Sequence, residues 1–580
     1  MRISKMTSKN SIIDNLIGEA QSYTSLEVME RMIQDGADLS AHAISPLYLI
    51  VKKMNPNELA HHLHLFSSEQ RQIFLDMDLW LKDDLDVDNF NYWIRCYAVC
   101  ENENIRAEFI GSSEFAVYLK GRFNIWTFDA EDPQYPEHDN YFLTPDTQLL
   151  VEFDEDYEYV RELKELIVAL YAERGVEDAY AYLFKLVSDS FSILQEEEYE
   201  QKKSRMSDYG FVDYFEALEV DNIFPSMEML QNFVIRKKSI TGNLDDLSKL
   251  QALPKAALVA FSDKLGDINS ELAKVVDDKR VEFLRFNFIK LVNATMSLTN
   301  ALQEGQVAMT RVGNKTRNLL SLGMSYINQK AQAGELEELL NDKSIFDFFT
   351  FADLYKIGNT LIKLNQKMAR KNLSLHGINE HNESFLGKFW LEFLDFTFDT
   401  SHAVADKLGH TSKNIVDMQH YGEWTSLLNL FGAMLPFIKQ FLTSVEKLKK
   451  SQKLRDEFYI NYTVEEIDFE AIILSNFYNY LLGNFEGTKG KRKKLGVTIS
   501  DFKKISTDLL DGKGKLKESY LKKKVKSMAL KFGLDVVLDF DKYFIALLKE
   551  HIEGYEFEEM SADDYKHVGG PIIFNILISS

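Results

Sequence analysis

The stretch MNPNELAHHLHLFSSEQRQIFLDMDLW, residues 54–80, contains two helix start signals in succession. In its first half Asn55 stands at an N-cap position, a proline follows at the first helical position, and Glu58 lies in the first turn, where a carboxylate complements the free backbone amides. In its second half Ser67 and Gln70 have the spacing of a capping box. Apolar residues at helical spacing follow each signal, so the stretch predicts two short amphipathic helices.

The helical pattern continues beyond this stretch. A third helix is predicted to begin near Asp88, because apolar residues follow it at helical spacing. Helical periodicity resumes at residue 157, and three long helical blocks follow, near 245–340, 345–460 and 517–552. The chain has only nine prolines, which favours long helices with short connections. Successive helices that cannot bury their apolar stripes alone indicate a stacked helical array.

The region between Glu101 and Asp156 has a different pattern, rich in aromatic and β-branched residues. Three runs in it are predicted to be strands, namely Phe115–Leu119, Phe123–Phe128 and Tyr141–Thr144. Lys120-Gly121-Arg122 is predicted to turn the chain between the first two runs, and the acidic stretch Asp129–Asp139 is predicted to be a surface loop. A small antiparallel sheet is therefore expected here.

These patterns predict a mainly α fold of the α+β type, a multi-unit helical array or bundle with a small antiparallel β-sheet insertion. A chain of 580 residues is also long enough for two to four domains. We predict four regions: short-helix superhelical repeats at 1–100, the small β-sheet plus helices at 101–240, a long-helix bundle at 241–460, and a C-terminal helical region with a basic tract at 461–580.

Cysteine content and hydropathy favour a cytoplasmic protein. The two cysteines, Cys96 and Cys100, lie four residues apart in a predicted helix and offer no disulfide framework. The N-terminal residues lack the apolar region of a signal peptide. No window approaches about twenty consecutive apolar residues, so we expect no transmembrane segment. The apolar run Pro571–Ile578 is predicted to be a buried terminal strand or a docked tail.

The charged segment Glu196–Phe211 holds the candidate ligand or polar network of Glu197, Arg205 and Asp208. One interpretation places these side chains around a metal ion or an anion. The other is a salt-bridged surface helix with a capped end, because charge runs usually form solvated faces. We favour the second interpretation.

Known catalytic and metal-binding motifs are missing from the sequence. Glu58 and His61 have the Glu-x-x-His spacing of carboxylate-bridged metal bundles. Such a site needs a second copy of the motif, and the sequence offers only the looser Asp417-x-x-His420. The sequence contains no Gly-Lys-Ser/Thr phosphate loop, His-Glu-x-x-His or Gly-x-Ser-x-Gly motif. We therefore predict no catalytic residues, no metal ligands and no cofactor.

A basic tract stands out in an otherwise acidic chain of net charge −23. Between Glu486 and Lys531 there are fifteen Lys or Arg against five Asp or Glu. The candidate anion contacts in this tract are Lys489, Lys491, Arg492, Lys493 and Lys494. Such a tract can touch phosphates, but we favour a solvated loop or an internal contact with acidic parts of the protein.

Two stretches of sequence resemble known families. Residues 54–80 resemble the short helical repeat in the intracellular N-terminal domain of bacterial magnesium transporters, which implies a right-handed superhelix. From about Leu47 to Ile362 the chain resembles a bacterial family known only as a domain of unknown function. The second resemblance is carried by Ser68–Gln72, Asp78–Trp80, Tyr141–Asp146, Glu196–Tyr199, Arg205, Asp208–Phe211, Glu216–Leu218, Leu322–Met324 and Phe349–Ile362. It implies a bacterial cytoplasmic protein and no particular activity.

The favoured function is a non-catalytic helical scaffold or adaptor that binds a protein partner, because helical arrays typically present grooves to partners. One alternative is an enzyme or a small-ligand or metal sensor that uses Glu197, Arg205, Asp208 and the aromatics of the small sheet. A third is binding of nucleic acid or an anionic surface through the basic residues of 489–524, which the acidic net charge disfavours.

Overall fold

The computed structural model describes residues 39–41, 44–209, 211–237, 266–304, 306–336, 343–399, 403–404, 413–485, 495–557, 559–561, 563–566 and 572–576. The α-helices of these residues are α1 (Ile44–Val51), α2 (Pro56–His62), α3 (Ser68–Asp78), α4 (Val87–Ala98), α5 (Glu103–Ile110), α6 (Ser113–Arg122), α7 (Val160–Arg174), α8 (Val176–Ser188), α9 (Phe191–Asp208), α10 (Tyr214–Asp221), α11 (Met227–Ile235), α12 (Gly266–Leu272), α13 (Asp278–Leu298), α14 (Ala301–Glu304), α15 (Gln306–Gln332), α16 (Phe351–His376), α17 (Lys388–Phe398), α18 (Met418–Lys450), α19 (Phe469–Leu481), α20 (Ile499–Leu509), α21 (Glu518–Phe532) and α22 (Phe540–Ile552). The strands are β1 (Trp80–Leu81), β2 (Asp84–Leu85), β3 (Asn124–Thr127), β4 (Tyr141–Leu143), β5 (Leu149–Glu152), β6 (Ala403–Val404) and β7 (Lys413–Asn414). The predicted mainly helical fold with a small antiparallel insertion is confirmed.

The predicted helix starts in residues 54–80 have the expected geometry. The Asn55 side chain accepts a hydrogen bond from the Glu58 backbone N–H at 3.0 Å. Ser67 and Gln70 form a reciprocal capping box, with bonds of 3.1 and 3.0 Å. These side chains satisfy amides that a helix N-terminus leaves free, and so fix where α2 and α3 begin.

The prediction of a strand at Phe115–Leu119 is wrong, because these residues lie within helix α6. Ser112 caps that helix by accepting a hydrogen bond from the Phe115 N–H at 3.2 Å. All five residues of the run are buried, and a short apolar run without alternation does not distinguish a buried helix from a strand. The predicted turn glycine, Gly121, also lies in α6, where a Cβ atom would stand 2.5 Å from the Phe191 ring.

The antiparallel sheet itself is confirmed, with strand order β3–β5–β4. Asn124 of β3 and Tyr141 of β4 both stand opposite Glu152 of β5. The central strand β5 is the most buried of the three and was not predicted from the sequence. Residues 129–139 form an irregular, mostly exposed connection, as predicted.

The chain divides into two compact units. The first comprises the described residues up to Ile223 together with Asn232–Ile357, and the second comprises Phe224–Gln231 and the described residues from Gly358 onward. The four regions predicted from the sequence stay a prediction.

Within the first unit, α15 and α16 approach each other closely at Gly323. A Cβ atom on this glycine would lie only 2.1 Å from the carbonyl oxygen of Leu354. Real side chains essentially never come so close to a backbone, so only glycine fits there. This contact gives a physical reason for the glycine of the Leu322–Met324 motif.

In the second unit the core is aromatic. Trp390 packs on Tyr543 and Phe431 with ring centroids 5.0 and 5.1 Å apart. The buried carboxylate of Glu470 accepts a hydrogen bond from the Phe389 N–H at 2.6 Å, which complements the start of α17.

Residues 572–576 of the same unit agree with the predicted docked tail. Ile573 and Phe574 are buried, and Phe574 forms a single parallel bridge to Val497. The Ile573 N–H donates to the Ser475 hydroxyl at 2.9 Å. This short segment is therefore held by backbone and side-chain hydrogen bonds rather than by a ladder.

Among the described helices, α18 is long and apolar enough to cross a membrane by length and composition. Its best 18-residue stretch has a mean hydropathy of 1.2, and 39% of that stretch is buried inside the protein. Core helices of soluble proteins pass the same criterion, so the expected absence of a transmembrane segment stays a prediction.

Replacing Gly323 by alanine should lower the free energy of unfolding of the first unit by about 1–3 kcal/mol, because α15 and α16 must separate to admit the methyl group. The control is Gly422→Ala in α18, where no atom lies within 4 Å of the added Cβ. That change should raise helix stability by about 0.5–1 kcal/mol. Denaturant unfolding followed by circular dichroism measures both, and equal effects would contradict the close contact.

Candidate functional site

Three buried carboxylates from three helices of the first unit converge on the guanidinium of Arg205 in α9. Its Nε and Nη2 donate to the two carboxylate oxygens of Asp76 in α3 at 2.8 and 2.7 Å. Nη2 also donates to Glu114 of α6 at 2.9 Å and to Glu198 of α9 at 2.5 Å. We call these four residues the Arg205 cluster. The carboxylates are at most 1% exposed, so the cluster joins α3, α6 and α9 from within.

The Arg205 cluster has more negative groups than its single cation can balance. Nη2 carries two hydrogens but faces three acceptor oxygens, and the second oxygen of Glu198 has no hydrogen-bond partner among the described atoms. Burial, together with the charges of Glu198 and Asp76, raises the pKa of Glu114 well above its usual range. A proton on Glu114 therefore relieves part of the excess charge.

The same three carboxylates have the spacing of a metal site. Their ligand oxygens all lie within 4.8 Å of one another. Nη2 of Arg205 stands among these oxygens, in hydrogen-bond contact with each carboxylate. The three carboxylates therefore bind the Arg205 guanidinium in the place where a metal ion would otherwise lie, and the ion pairs hold the three helices together as a structural clamp.

The candidate residues predicted from the sequence have different positions. Arg205 is part of the cluster. Glu197 and Asp208 are exposed, and Glu198 rather than Glu197 faces the guanidinium. Trp126, an aromatic of the small sheet, is exposed and donates from its indole nitrogen to Glu152 of the same sheet at 3.1 Å.

Sequence reasoning missed Asp76, Glu114 and Glu198. Glu198 and Arg205 are seven residues apart, which puts them on one face of a helix and was a usable signal. Asp76 stands inside the apolar run of α3, and Glu114 directly precedes the run Phe115–Leu119. A single carboxylate in an apolar run is a second signal, because a buried charge requires a partner.

A small open cleft of about 90 Å³ lies next to the Arg205 cluster in the same unit. Its walls come from three separate segments, residues 76–82, 202–214 and 296–303, and Asp76 belongs to both the cleft and the cluster. Gln303 fixes one wall by donating to the carbonyl oxygens of Met77 and Trp80 at 3.1 and 2.8 Å. The cleft thus brings together parts of the chain that are far apart in sequence.

The structure describes only some of the other candidate groups. The candidate anion contacts Lys489, Lys491, Arg492, Lys493 and Lys494 lie outside the described residues. Cys96 and Cys100 are buried free thiols, and burial raises the pKa of both. Asp417 caps α18 by accepting from the His420 backbone N–H at 2.8 Å, so this pair serves the helix start.

Comparison with known proteins identifies a family. Residues 40–484 match the family described as "Family of unknown function (DUF6178)", which is more than half of the chain. The chain therefore belongs to this family, as its resemblance to a family of unknown function predicted. No curated protein and no solved structure matches it significantly. The likeness of residues 54–80 to magnesium transporters stays a prediction.

Replacing Arg205 by methionine should destabilise the first unit by about 3–5 kcal/mol, because three buried carboxylates then lose their cation. The control is Arg161→Met in α7, whose side chain is 87% exposed and pairs with Glu165 four residues away. That surface pair should contribute about 0.5 kcal/mol or less. Denaturant midpoints of the two variants test the difference, and similar midpoints would contradict the clamp.

Glu114→Gln should make the free energy of unfolding less sensitive to rising pH. The folded protein holds the Glu114 proton more tightly than the unfolded chain, so this residue favours folding most below the ordinary carboxyl pKa of 4.5. That contribution is lost as the pH rises through the raised, folded-state pKa. A tenfold tighter hold on the proton corresponds to about 1.4 kcal/mol of folding free energy.

The variant carries no such titrating proton, so its stability relative to the wild type should increase as the pH rises above the ordinary carboxyl pKa of 4.5. Thermal unfolding at a series of pH values measures this difference. Glu197→Gln, which changes an exposed carboxylate of the same helix, should leave the difference flat. A flat profile for Glu114→Gln as well would show that Glu114 is ionised in the folded protein.

Proposed function

We propose that this member of the DUF6178 family is a non-catalytic cytoplasmic scaffold or adaptor that binds a partner protein through an exposed stripe on helix α8. The observation that carries the proposal is the row Val176, Tyr180 and Phe184, which we call the α8 stripe. Val176 is 55% and Phe184 43% exposed, and the Tyr180 and Phe184 rings are stacked with centroids 5.6 Å apart. Tyr180 is half-buried, and exposed aromatic groups such as Phe184 are typical of interaction surfaces.

The α8 stripe is distinct from the face by which α8 is held in its own unit. Ala179, Leu183 and Leu186 are buried on that inner face. The residues of the stripe are spaced at i, i+4 and i+8, so they form a second apolar row along the helix. A helix needs only one such row to pack on its own domain, and the second row is available to another molecule.

The chemistry of the stripe fits an amphipathic helix of the partner. Rows at i, i+4 and i+8 pack against the corresponding rows of a second helix. Exposed acidic residues, Glu177 and Asp178, flank the Val176 end, and exposed Lys185 flanks the Phe184 end. The partner helix should therefore carry basic residues near Val176 and acidic residues near Lys185.

Two further observations support a non-catalytic role in the cytoplasm. Among the described residues, the Arg205 cluster gathers three buried carboxylates around a guanidinium of the same chain, and so has the character of a structural network. Cys96 and Cys100 are buried free thiols, which suits a reducing compartment. The net charge of −23 disfavours nucleic acid as the partner.

Replacing Phe184 by aspartate should reduce recovery of the partner from cells of the native organism by about tenfold or more, since a few aromatic residues typically carry a large part of the binding energy of an interface and a charge in their place opposes burial. The thermal midpoint should hardly change, because this side chain is already exposed. Quantitative capture with the full-length protein, followed by mass spectrometry, measures the recovery.

The control is Leu538→Asp, which places the same charge at an apolar residue that is 83% exposed in the second unit. Recovery should stay at the wild-type level in this variant. Equal losses in both variants would indicate non-specific adhesion, and unchanged recovery with Phe184→Asp would rule out the α8 stripe.

A further inference from the structure

Lys202 of α9 is a partly buried cation without a carboxylate partner. Its ammonium lies 5.5 Å from the ring centre of Trp80 and 5.0 Å from that of Tyr199. Among the described residues no carboxylate comes within ion-pair distance of it, although the chain has 90 acidic and 67 basic residues. Burial lowers the pKa of Lys202, while Asp213 and Asp76 act in the opposite direction. A desolvated ammonium without a counter-ion has a strong preference for an anion.

Lys82 lines the same cleft from the turn between β1 and β2. Its backbone has a φ of +65°, in the left-handed region that costs a residue with a side chain about 1 kcal/mol. The ammonium lies 5.0 Å from the ring centre of Tyr214, and again no described carboxylate is within ion-pair distance. Strained backbone at a cleft commonly serves to aim a side chain.

Trp80, which lines the same cleft as these two lysines, has an unused hydrogen-bond donor. The side chain is buried in the wall of the cleft, and its indole N–H has no partner among the described atoms. Leaving such a donor unpaired carries a desolvation cost that proteins usually avoid. Lys202, which also lines the cleft, lies over the face of this ring.

The acidic groups in the cleft wall are already engaged. Both oxygens of Asp76 accept from Arg205. Asp213 accepts from the Tyr199 hydroxyl and, with its other oxygen, from the Phe215 N–H at 3.0 Å. Lys202 and Lys82 therefore have no carboxylate within ion-pair distance among the described residues, whereas Lys203, the third lysine of the wall, pairs with Glu200 at 4.0 Å. The wall presents the positive charge of Lys202 and Lys82 and a neutral donor to a bound group.

We propose that this cleft binds a small oxyanion, the phosphate or carboxylate group of a metabolite, with Lys202 and Lys82 as its charge partners and the Trp80 indole N–H as a neutral donor. The two ammonium groups supply charge-assisted hydrogen bonds, which are the strong class for such groups. The cleft is small and open, so it admits one anionic group while the rest of the ligand extends towards solvent. The site is separate from the α8 stripe and does not depend on it.

Titration calorimetry on the full-length protein at constant ionic strength tests the site with inorganic phosphate, pyrophosphate and citrate as probes. At least one probe should bind. Phosphate and pyrophosphate represent a phosphate ligand and citrate a carboxylate ligand, so their relative affinities identify the group that the cleft prefers. Lys202→Met should weaken the best probe about ten- to a hundredfold, as expected for loss of one charged hydrogen bond.

Three more variants distinguish loss of the site from loss of folding. Lys82→Met changes an exposed turn residue and should also weaken the best probe. Lys274→Met removes an exposed lysine that is paired with Glu271 in the same unit and should change nothing. Binding should also alter tryptophan emission in the wild type and alter it much less in Trp80→Phe, a change that general surface attraction would not produce.

Failure of all three probes to bind up to about 10 mM would overturn the proposal, because a site weaker than this has no useful affinity. Unchanged affinity in both Lys202→Met and Lys82→Met would also overturn it. Equal weakening in Lys274→Met would show that the anions bind the surface without a site.

Discussion

The guanidinium of Arg205, surrounded by three buried carboxylates, is the constraint on which the arrangement of the first unit depends. Asp76 and Arg205 are 129 residues apart, and their ion pair fixes α9 against α3 in both position and rotation. Glu198 and Lys202 lie on the same face of α9 as Arg205, about two turns and one turn before it. Once the clamp has set the rotation of the helix, Lys202 is directed to the rings of Trp80 and Tyr199.

The buried carboxylates around Arg205 carry more negative charge than the guanidinium balances, which costs folding free energy. Protonation of Glu114 lowers that cost. A buried ion pair stabilises a protein only when its remaining lone pairs and charges are satisfied. Glu114 satisfies part of this requirement because burial raises its pKa, and Gln72 donates to it at 2.5 Å. The clamp is therefore a means of specifying how three helices meet more than a source of net stability. Alternative packings would leave the same carboxylates without a cation.

The features that the sequence predicted correctly are those that depend on residues close together in the chain. The caps at Asn55 and Ser67 act within one helical turn, so the sequence shows them directly. Phe115–Leu119 was assigned to the wrong element because burial on all sides removes the periodicity that separates helix from strand. Arg205 was identified as a candidate, but its partners were not, since Asp76 and Glu114 reach it only through tertiary packing. Apolar periodicity identifies which face of a helix is buried, but it does not identify the distant helix that packs on that face.

Helix α6 connects the two proposed surfaces. On one side Glu114 binds Arg205 and thereby holds α9, which carries Lys202. On the other side the Lys120 ammonium donates to the Val187 carbonyl oxygen near the end of α8 at 3.1 Å. Phe191, at the start of α9, packs on α6 where Gly121 leaves room. Coupling between an anion in the cleft and a partner on the α8 stripe requires an element that responds to both, and α6 contacts both helices.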